Sequence, residues 1–362
     1  MRLYKIELYK IVHRKIFIAG ILAILGLMLA YFWFVEVGDE RCVIDNQKYF
    51  GYEAIQMNKK ITEEFTGTIT DEKISRIIRE YGLPSKIDDN MSGWQDGNYL
   101  NDFVTRFFTN GSWEAGIKPT EKYALEDTDF GKAYKGLTPI LEYTTGWKVF
   151  TELIQFGLML GSIMIICGIS GIFADESQTK MLSLIFTTSE GKRTDIIAKV
   201  FACFTTIILL YIGIVGISLG LCNAIYGLNG EKNLTGVVVF GSMWKKVDKV
   251  PFLNYLAVIL VLGFLAFLSL GVLTLCVSAY QDSTFGAVVI TALCWAIPLL
   301  IRIFFGGLIW ILVDAMPMFL IMQVNLSDIY GIWYIIGAIN FGISIVCLIK
   351  GMMHYKKKTD FL

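Results

Sequence analysis

Apolar runs of about 20 residues recur along this chain, and nothing else in it restricts the fold so strongly. A helix of that length rises about 30 Å, the thickness of bilayer hydrocarbon. Four such runs are plain: residues 16–37, 151–173, 196–222 and Phe252–Tyr280, and nearly everything from 286 to 350 is apolar as well. The hydrophobic fraction of 55% and aromatic fraction of 14% lie outside the ordinary soluble range. The expected fold class is therefore an all-α integral membrane protein.

Charge sets the expected orientation. The first 15 residues carry Arg2, Lys5, Lys10, Arg14 and Lys15 against Glu7 alone, and the tail from Lys350 carries four lysines against Asp360. Both ends are then expected in the cytoplasm, which requires an even number of crossings. The first run is longer than a signal-peptide core and ends in YFWFVEVGDE, without a small-residue cleavage pattern, so it reads as a retained anchor. Residues 38–150 hold 14 Lys/Arg and 19 Asp/Glu, a net of −5, and are expected outside the cell.

Parity decides the last apolar stretch. Residues 286–313 as one helix would run about 42 Å, too long for the hydrocarbon core, and they contain Pro298 and Arg302. A charge near mid-membrane is costly, so the fifth crossing is expected to end near Arg302. Residues 303–324, interrupted by Gly306, Gly307 and Pro317, then form an outer re-entrant hairpin before a sixth crossing over 330–349. Trp33, Trp147, Trp244, Trp310 and Trp333 all fall near the outer interface in this arrangement, where amphipathic rings sit.

Between the second and third crossings lies a charged, hydroxyl-rich stretch, residues 174–195. Met181, Leu182, Leu184, Ile185 and Phe186 fall on one apolar arc at helical spacing, which predicts a helix lying flat on the cytoplasmic membrane surface. Periodicity alone leaves two readings open: an interfacial connector, or a docking element for a cytoplasmic partner. The string FADESQTKMLSLIFTTSEGKRTDIIAKV resembles the cytoplasmic segment of ABC exporter permeases of the second class, those with the type V exporter fold. That pattern runs acidic residue, Gly-Thr, leucines, a Ser-Pro stretch, Ser-Arg, then Lys at the start of the next helix. Glu176, Thr179, Leu182, Arg193 and Lys199 match it; Gln178 stands in place of the glycine, and TTSEGKR lacks the proline. The six-crossing plan and the broken outer hairpin extend the likeness over most of the chain except the outer domain.

The resemblance implies a transport subunit rather than an enzyme. Glu176, Thr179, Lys180, Leu182, Arg193 and Lys199 would couple the chain to a separate cytoplasmic nucleotide-binding ATPase subunit. This chain has no GxxxxGK[ST] phosphate loop, so it is not expected to hydrolyse ATP by that route; no cofactor is expected on it, and ATP with magnesium would sit on the partner. A second copy or a sibling permease would complete the pathway. The implied cargo is a hydrophobic or amphipathic molecule, such as an antimicrobial peptide, moved across or out of a bacterial cell membrane. Membrane lipid is a further expected partner and nucleic acid is not. The competing function is a membrane-anchored sensor or structural protein whose outer domain binds a ligand without transport.

Other features leave alternatives open. Gly157 with Gly161, and Gly216 with Gly220, are GxxxG spacings that serve packing within the chain or between chains. The helix expected over residues 1–15 places Leu3, Ile6, Tyr9, Lys10 and His13 at steps of three and four, for contact with lipid headgroups or with the ATPase. Arg302 and Asp314 either pair to anchor the outer hairpin or contact substrate. In the outer segment, Thr70 as N-cap, Ile74, Ile77 and Ile78 on one face and Gly82 with Pro84 as a stop predict a helix. A second carries Leu100, Phe103, Val104 and Phe107. A small, mainly helical core is expected there, with Cys42 either free or bridged to Cys222. The only histidines are His13 and His354, with no HExxH or CxxC spacing, so no metal or catalytic site is expected.

Overall fold

The computed structural model describes residues 2–82, 97–109, 135–187, 193–239, 246–305, 310–323 and 329–358. Among them are six helices long and apolar enough to cross a bilayer: Lys15–Val37, Thr145–Gln178, Thr194–Ile225, Phe252–Tyr280, Thr284–Phe305 and Tyr330–Lys357. The protein is an all-α membrane protein by this measure. We label the short amphipathic helix Arg2–Val12 α1 and the first long helix, Lys15–Ala30 with its π-helical continuation Tyr31–Val37, α2. Most spans overrun the apolar runs read from the sequence. At about 1.5 Å per residue the 32-residue third span is about 48 Å long. Hydropathy marks only the part that matches hydrocarbon, whereas backbone hydrogen bonding carries each helix on into polar sequence.

The described residues form two compact units. The first comprises Met1–Met28, Ile154–Ile217 and Val258–Leu362. It holds α1 and, in order, α6 (Thr145–Ile169), α7 (Gly171–Gln178), α8 (Leu182–Thr187), α9 (Thr194–Ile225), α11 (Phe252–Tyr280), α12 (Thr284–Phe305), α13 (Trp310–Asp314), α14 (Pro317–Ile321) and α15 (Trp333–Lys357), some of which it shares with the second unit. Close helix contact here depends on missing side chains. A Cβ on Gly157 would lie 2.6 Å from Ile214 and 2.9 Å from Met28, and one on Gly161 would lie 2.8 Å from Ile214 and 2.9 Å from Phe267. That GxxxG is therefore used inside the chain. Gly216 and Gly220 have nothing within 4 Å of the equivalent position.

In α12, Pro298 is accommodated without ending the helix, which runs past Arg302 to Phe305. Arg302 lies 3.1 Å from Asp314, whose side chain is 5% exposed, and its guanidinium sits 5.0 Å over the Phe319 ring. Asn340 of α15 donates to the Ala315 carbonyl at 3.0 Å, fixing the turn between α13 and α14. Gly306, Gly307, Trp244 and the side chain of Trp310 lie outside the described residues.

The second unit comprises Leu29–Leu153 and Ser218–Ala257. It includes structure that periodicity did not reveal: a hairpin of β1 (Arg41–Ile44) and β2 (Gln47–Phe50), turning through Asp45 and Asn46 at positive φ, and a two-residue ladder of β3 (Gly67–Thr68) with β4 (Ile140–Leu141). These strands qualify the expectation of a mainly helical segment. Its helices are α3 (Gly51–Glu63), α4 (Asp71–Tyr81), α5 (Tyr99–Thr109) and the single turn α10 (Thr235–Val238). Thr70 accepts the Lys73 amide at 3.3 Å as N-cap of α4, and Gly82 ends it at φ 70°. Ile74, Ile77, Leu100, Phe103 and Val104 are buried, as their spacing predicts; the Phe107 side chain and Pro84 lie outside the described residues. Asn58 joins the elements, donating to the Arg41 carbonyl and accepting the Tyr99 amide. Cys42 and Cys222 are both buried free thiols, and burial pushes the Cys42 thiol up to about 12. Burial likewise raises Glu40 to about 7, against the opposing pull of Lys148.

Candidate functional site

The stretch 173–199, which the sequence singles out, becomes a polar junction in the first unit. Helix α6 ends at Ile169 and α7 resumes at Gly171, and the joint is closed from α11. Ser278 accepts the amides of Phe173 and Ala174 at 3.1 and 3.2 Å and donates to the Ser170 carbonyl at 2.6 Å. One hydroxyl thus bonds three backbone groups at the joint between the two helices.

Consecutive acids on α7 then point to different helices. Asp175 accepts from Arg14 at 2.6 Å and from the hydroxyl of Thr284, the first residue of α12. Gln178 adds a bond from the Thr284 amide at 3.2 Å, so α7 caps the start of α12 from outside it. An anionic partner suits the positive end of the α12 dipole. Gly171 makes the Arg14 contact feasible, because a Cβ there would stand 2.6 Å from the Arg14 guanidinium.

Glu176 faces the other way. One carboxylate oxygen lies 2.5 Å from Lys199 of α9, and the other accepts from the Tyr355 hydroxyl of α15 at 2.5 Å. Lys199 also pairs with Asp195 one turn earlier, and its side chain is wholly buried. The Glu176 and Asp195 side chains are 14% and 10% exposed. The Phe173 ring packs 4.4 Å from Tyr355 and lies 5.9 Å from the Lys199 ammonium, closing the apolar side of the cluster. A buried cation with two carboxylates holds together only while every partner is present.

The helix expected through 181–186 is present over Leu182–Thr187, but it is separated from α7 by a break at Lys180. Lys180 adopts a left-handed φ of 57°, its amide bonds to the Ser177 carbonyl, and the Met181 amide reaches back to Glu176. That is a Schellman ending with lysine where glycine is usual. A six-residue helix, α8, follows. Leu182 is buried at 5% exposure, while Met181 and Leu184 are 49% and 64% exposed, so the apolar arc divides between the interior and the surface. The Phe186 side chain and residues 188–192 lie outside the described set.

Of the six residues assigned to coupling, the structure joins Glu176 to Lys199 and buries Leu182 beside the same turn. Thr179, Lys180 and Arg193 are exposed, and the Thr179 hydroxyl returns to the Asp175 carbonyl at 2.7 Å. Sequence reasoning missed Asp175, Asp195, Ser278, Thr284 and Tyr355. The four-residue step from Asp195 to Lys199 was a usable signal, and Asp175 stood beside Glu176 in the same string; Ser278, Thr284 and Tyr355 come from distant helices and left none. The same face is closed by the tail: Lys358 bonds Asp282 at 2.8 Å, and Tyr280 stacks on His354 at 3.9 Å. No group of three or more metal-ligating side chains occurs among the described residues. Comparison of the chain with protein-family models, curated proteins and solved structures gives no match.

Proposed function

We propose that this chain is the permease subunit of an ATP-driven exporter, and that the α7–α8 turn is where a separate cytoplasmic ATPase subunit grips it. The observation that carries the reading is the junction at α7. Five of its eight residues, Phe173, Ala174, Asp175, Glu176 and Gln178, bond to Arg14 or to α9, α11, α12 and α15, so a force on the turn reaches most of the first unit at once. Beside that anchor, Met181 and Leu184 are exposed apolar side chains, preceded in the turn by the exposed Thr179 and Lys180. Small apolar knobs beside polar side chains suit the core and rim of a protein interface.

On this reading the turn faces the cytoplasm, residues 38–150 lie outside, and ATP-driven closure of two motor subunits rocks two permease copies as rigid bodies. Co-purification tests it. Tagged full-length chain should recover a nucleotide-binding subunit from its native membrane, and Met181→Asp with Leu184→Asp should abolish recovery while leaving the chain folded. Recovery of no ATPase by the unaltered chain, or labelling of Lys180 only from outside sealed cells, would overturn the proposal.

A further inference from the structure

A groove of about 690 Å³ runs between α1 and the first turns of α9, both in the first unit. We infer that it seats one anionic phospholipid, with Arg2 on the phosphodiester and the acyl chains along Leu3, Ile197 and Phe201. This inference is independent of the permease proposal.

Three observations combine. First, the charge is one-sided: Arg2 lines the groove, no acidic residue does, and Lys5 and Lys10 are exposed on the same short helix. The one acid of α1, Glu7, is buried and paired with Lys10 at 2.5 Å. Second, the wall is apolar and open: Ile197 is 42% and Phe201 59% exposed on a helix long and apolar enough to cross a membrane. Third, the depth is right. Helix α9 is about 48 Å long from its 32 residues, longer than a hydrocarbon core of about 30 Å, and its apolar run begins at residue 196. The Thr194 end of the groove therefore falls at headgroup level, and Phe201, about 10 Å further along the helix, reaches acyl-chain depth. The groove is held open in register: Thr205 donates to the Phe201 carbonyl at 2.9 Å and therefore accepts from the Tyr4 hydroxyl, also at 2.9 Å. A cation at the rim of an apolar trough matches a lipid with a charged head and two tails. A soluble anion would leave Ile197 and Phe201 in contact with water, and a zwitterionic lipid would bring its own cation toward Arg2.

Native mass spectrometry of the full chain in detergent, titrated with dioleoyl phosphatidylglycerol or phosphatidylcholine, reads the occupancy. The expected result is preferential retention of phosphatidylglycerol, weakened about five-fold by Arg2→Gln, as for loss of one basic contact at an anionic membrane surface. Arg2→Lys should restore most of the retention, and Phe201→Ser should weaken it again with Arg2 intact. Circular dichroism verifies that each variant is helical. Equal retention by Arg2→Gln and the unaltered chain, indifference to Phe201→Ser, or full displacement by excess inorganic phosphate would each overturn the assignment, the last by reducing the groove to a simple anion site.

Discussion

Replacing Lys199 with methionine should expose how the α7 junction is held. Methionine keeps most of the unbranched apolar stem and removes only the ammonium, so packing changes little. What remains is two carboxylates, Glu176 and Asp195, facing a charge that has gone; their side chains are 14% and 10% exposed. Removing one partner of a buried pair costs about 3–5 kcal/mol, and the small residual exposure of both acids places this case near about 3. For a chain of this length that is a drop of roughly 5 °C in the apparent melting temperature. Differential scanning fluorimetry of the detergent-purified protein measures it. The informative control is the triple variant Glu176→Gln, Asp195→Asn, Lys199→Met. It removes all three charges yet leaves an acceptor for the Tyr355 hydroxyl, and should recover most of the loss. If Lys199→Met melts within about 1 °C of the unaltered chain, or the triple variant is no better than the single, the cluster is not held by mutual charge compensation and the reasoning fails.

Three further outcomes are expected. Lys180→Gly should raise stability by about 1 kcal/mol, because glycine takes the left-handed φ of 57° without the Cβ penalty; an unchanged or lower melting temperature in the same fluorimetric assay counts against the Schellman ending. Gly161→Leu should prevent normal packing, with Ile214 and Phe267 already within 3 Å of the new Cβ, whereas Gly216→Leu, with nothing within 4 Å, should be tolerated; gel-filtration yield of the two variants separates them. Glu40, ordinarily near 4.5, is raised to about 7 by burial, so the folded chain binds a proton that the unfolded chain has released. Its contribution is intact below the lower value and is lost as pH rises through about 7, by up to about 3 kcal/mol. Urea denaturation should therefore show less of a fall in stability across that window for Glu40→Gln than for the unaltered chain.

What was legible in the sequence follows from the range of the forces involved. Spanning helices are announced by their own residues, since each satisfies its backbone internally and must be apolar throughout the hydrocarbon. Six were countable, and the Phe252–Tyr280 span has the same limits in sequence and structure. Local capping was equally readable: Thr70 and Gly82 bound α4 where their chemistry dictates. The β1–β2 hairpin was missed because four-residue strands are too short for alternation to register, and its turn at Asp45–Asn46 lacks the glycine that usually flags it. The break after Gln178 was hidden for a related reason. Hydrophobic periodicity runs on through Met181–Phe186, and a lysine in left-handed conformation carries no sequence signal of its own. Glu176 and Lys199 could be picked out together, yet not that Tyr355, 179 residues away, shares the carboxylate.

The adjacency of Asp175 and Glu176 gives the junction its mechanical character. Successive residues on a helix are turned by about 100°, so two neighbouring acids can hold partners on different sides of an eight-residue rod. Asp175 holds Arg14 and the start of α12, while Glu176 holds α9 and α15. Rolling α7 about its axis would lengthen one set of bonds as it relaxes the other, and Ser278 resists sliding along the axis by binding the backbone on both sides of the joint. The motion that keeps every charged contact is therefore displacement of α7 together with its partners. A segment tied in this way moves as part of a rigid group.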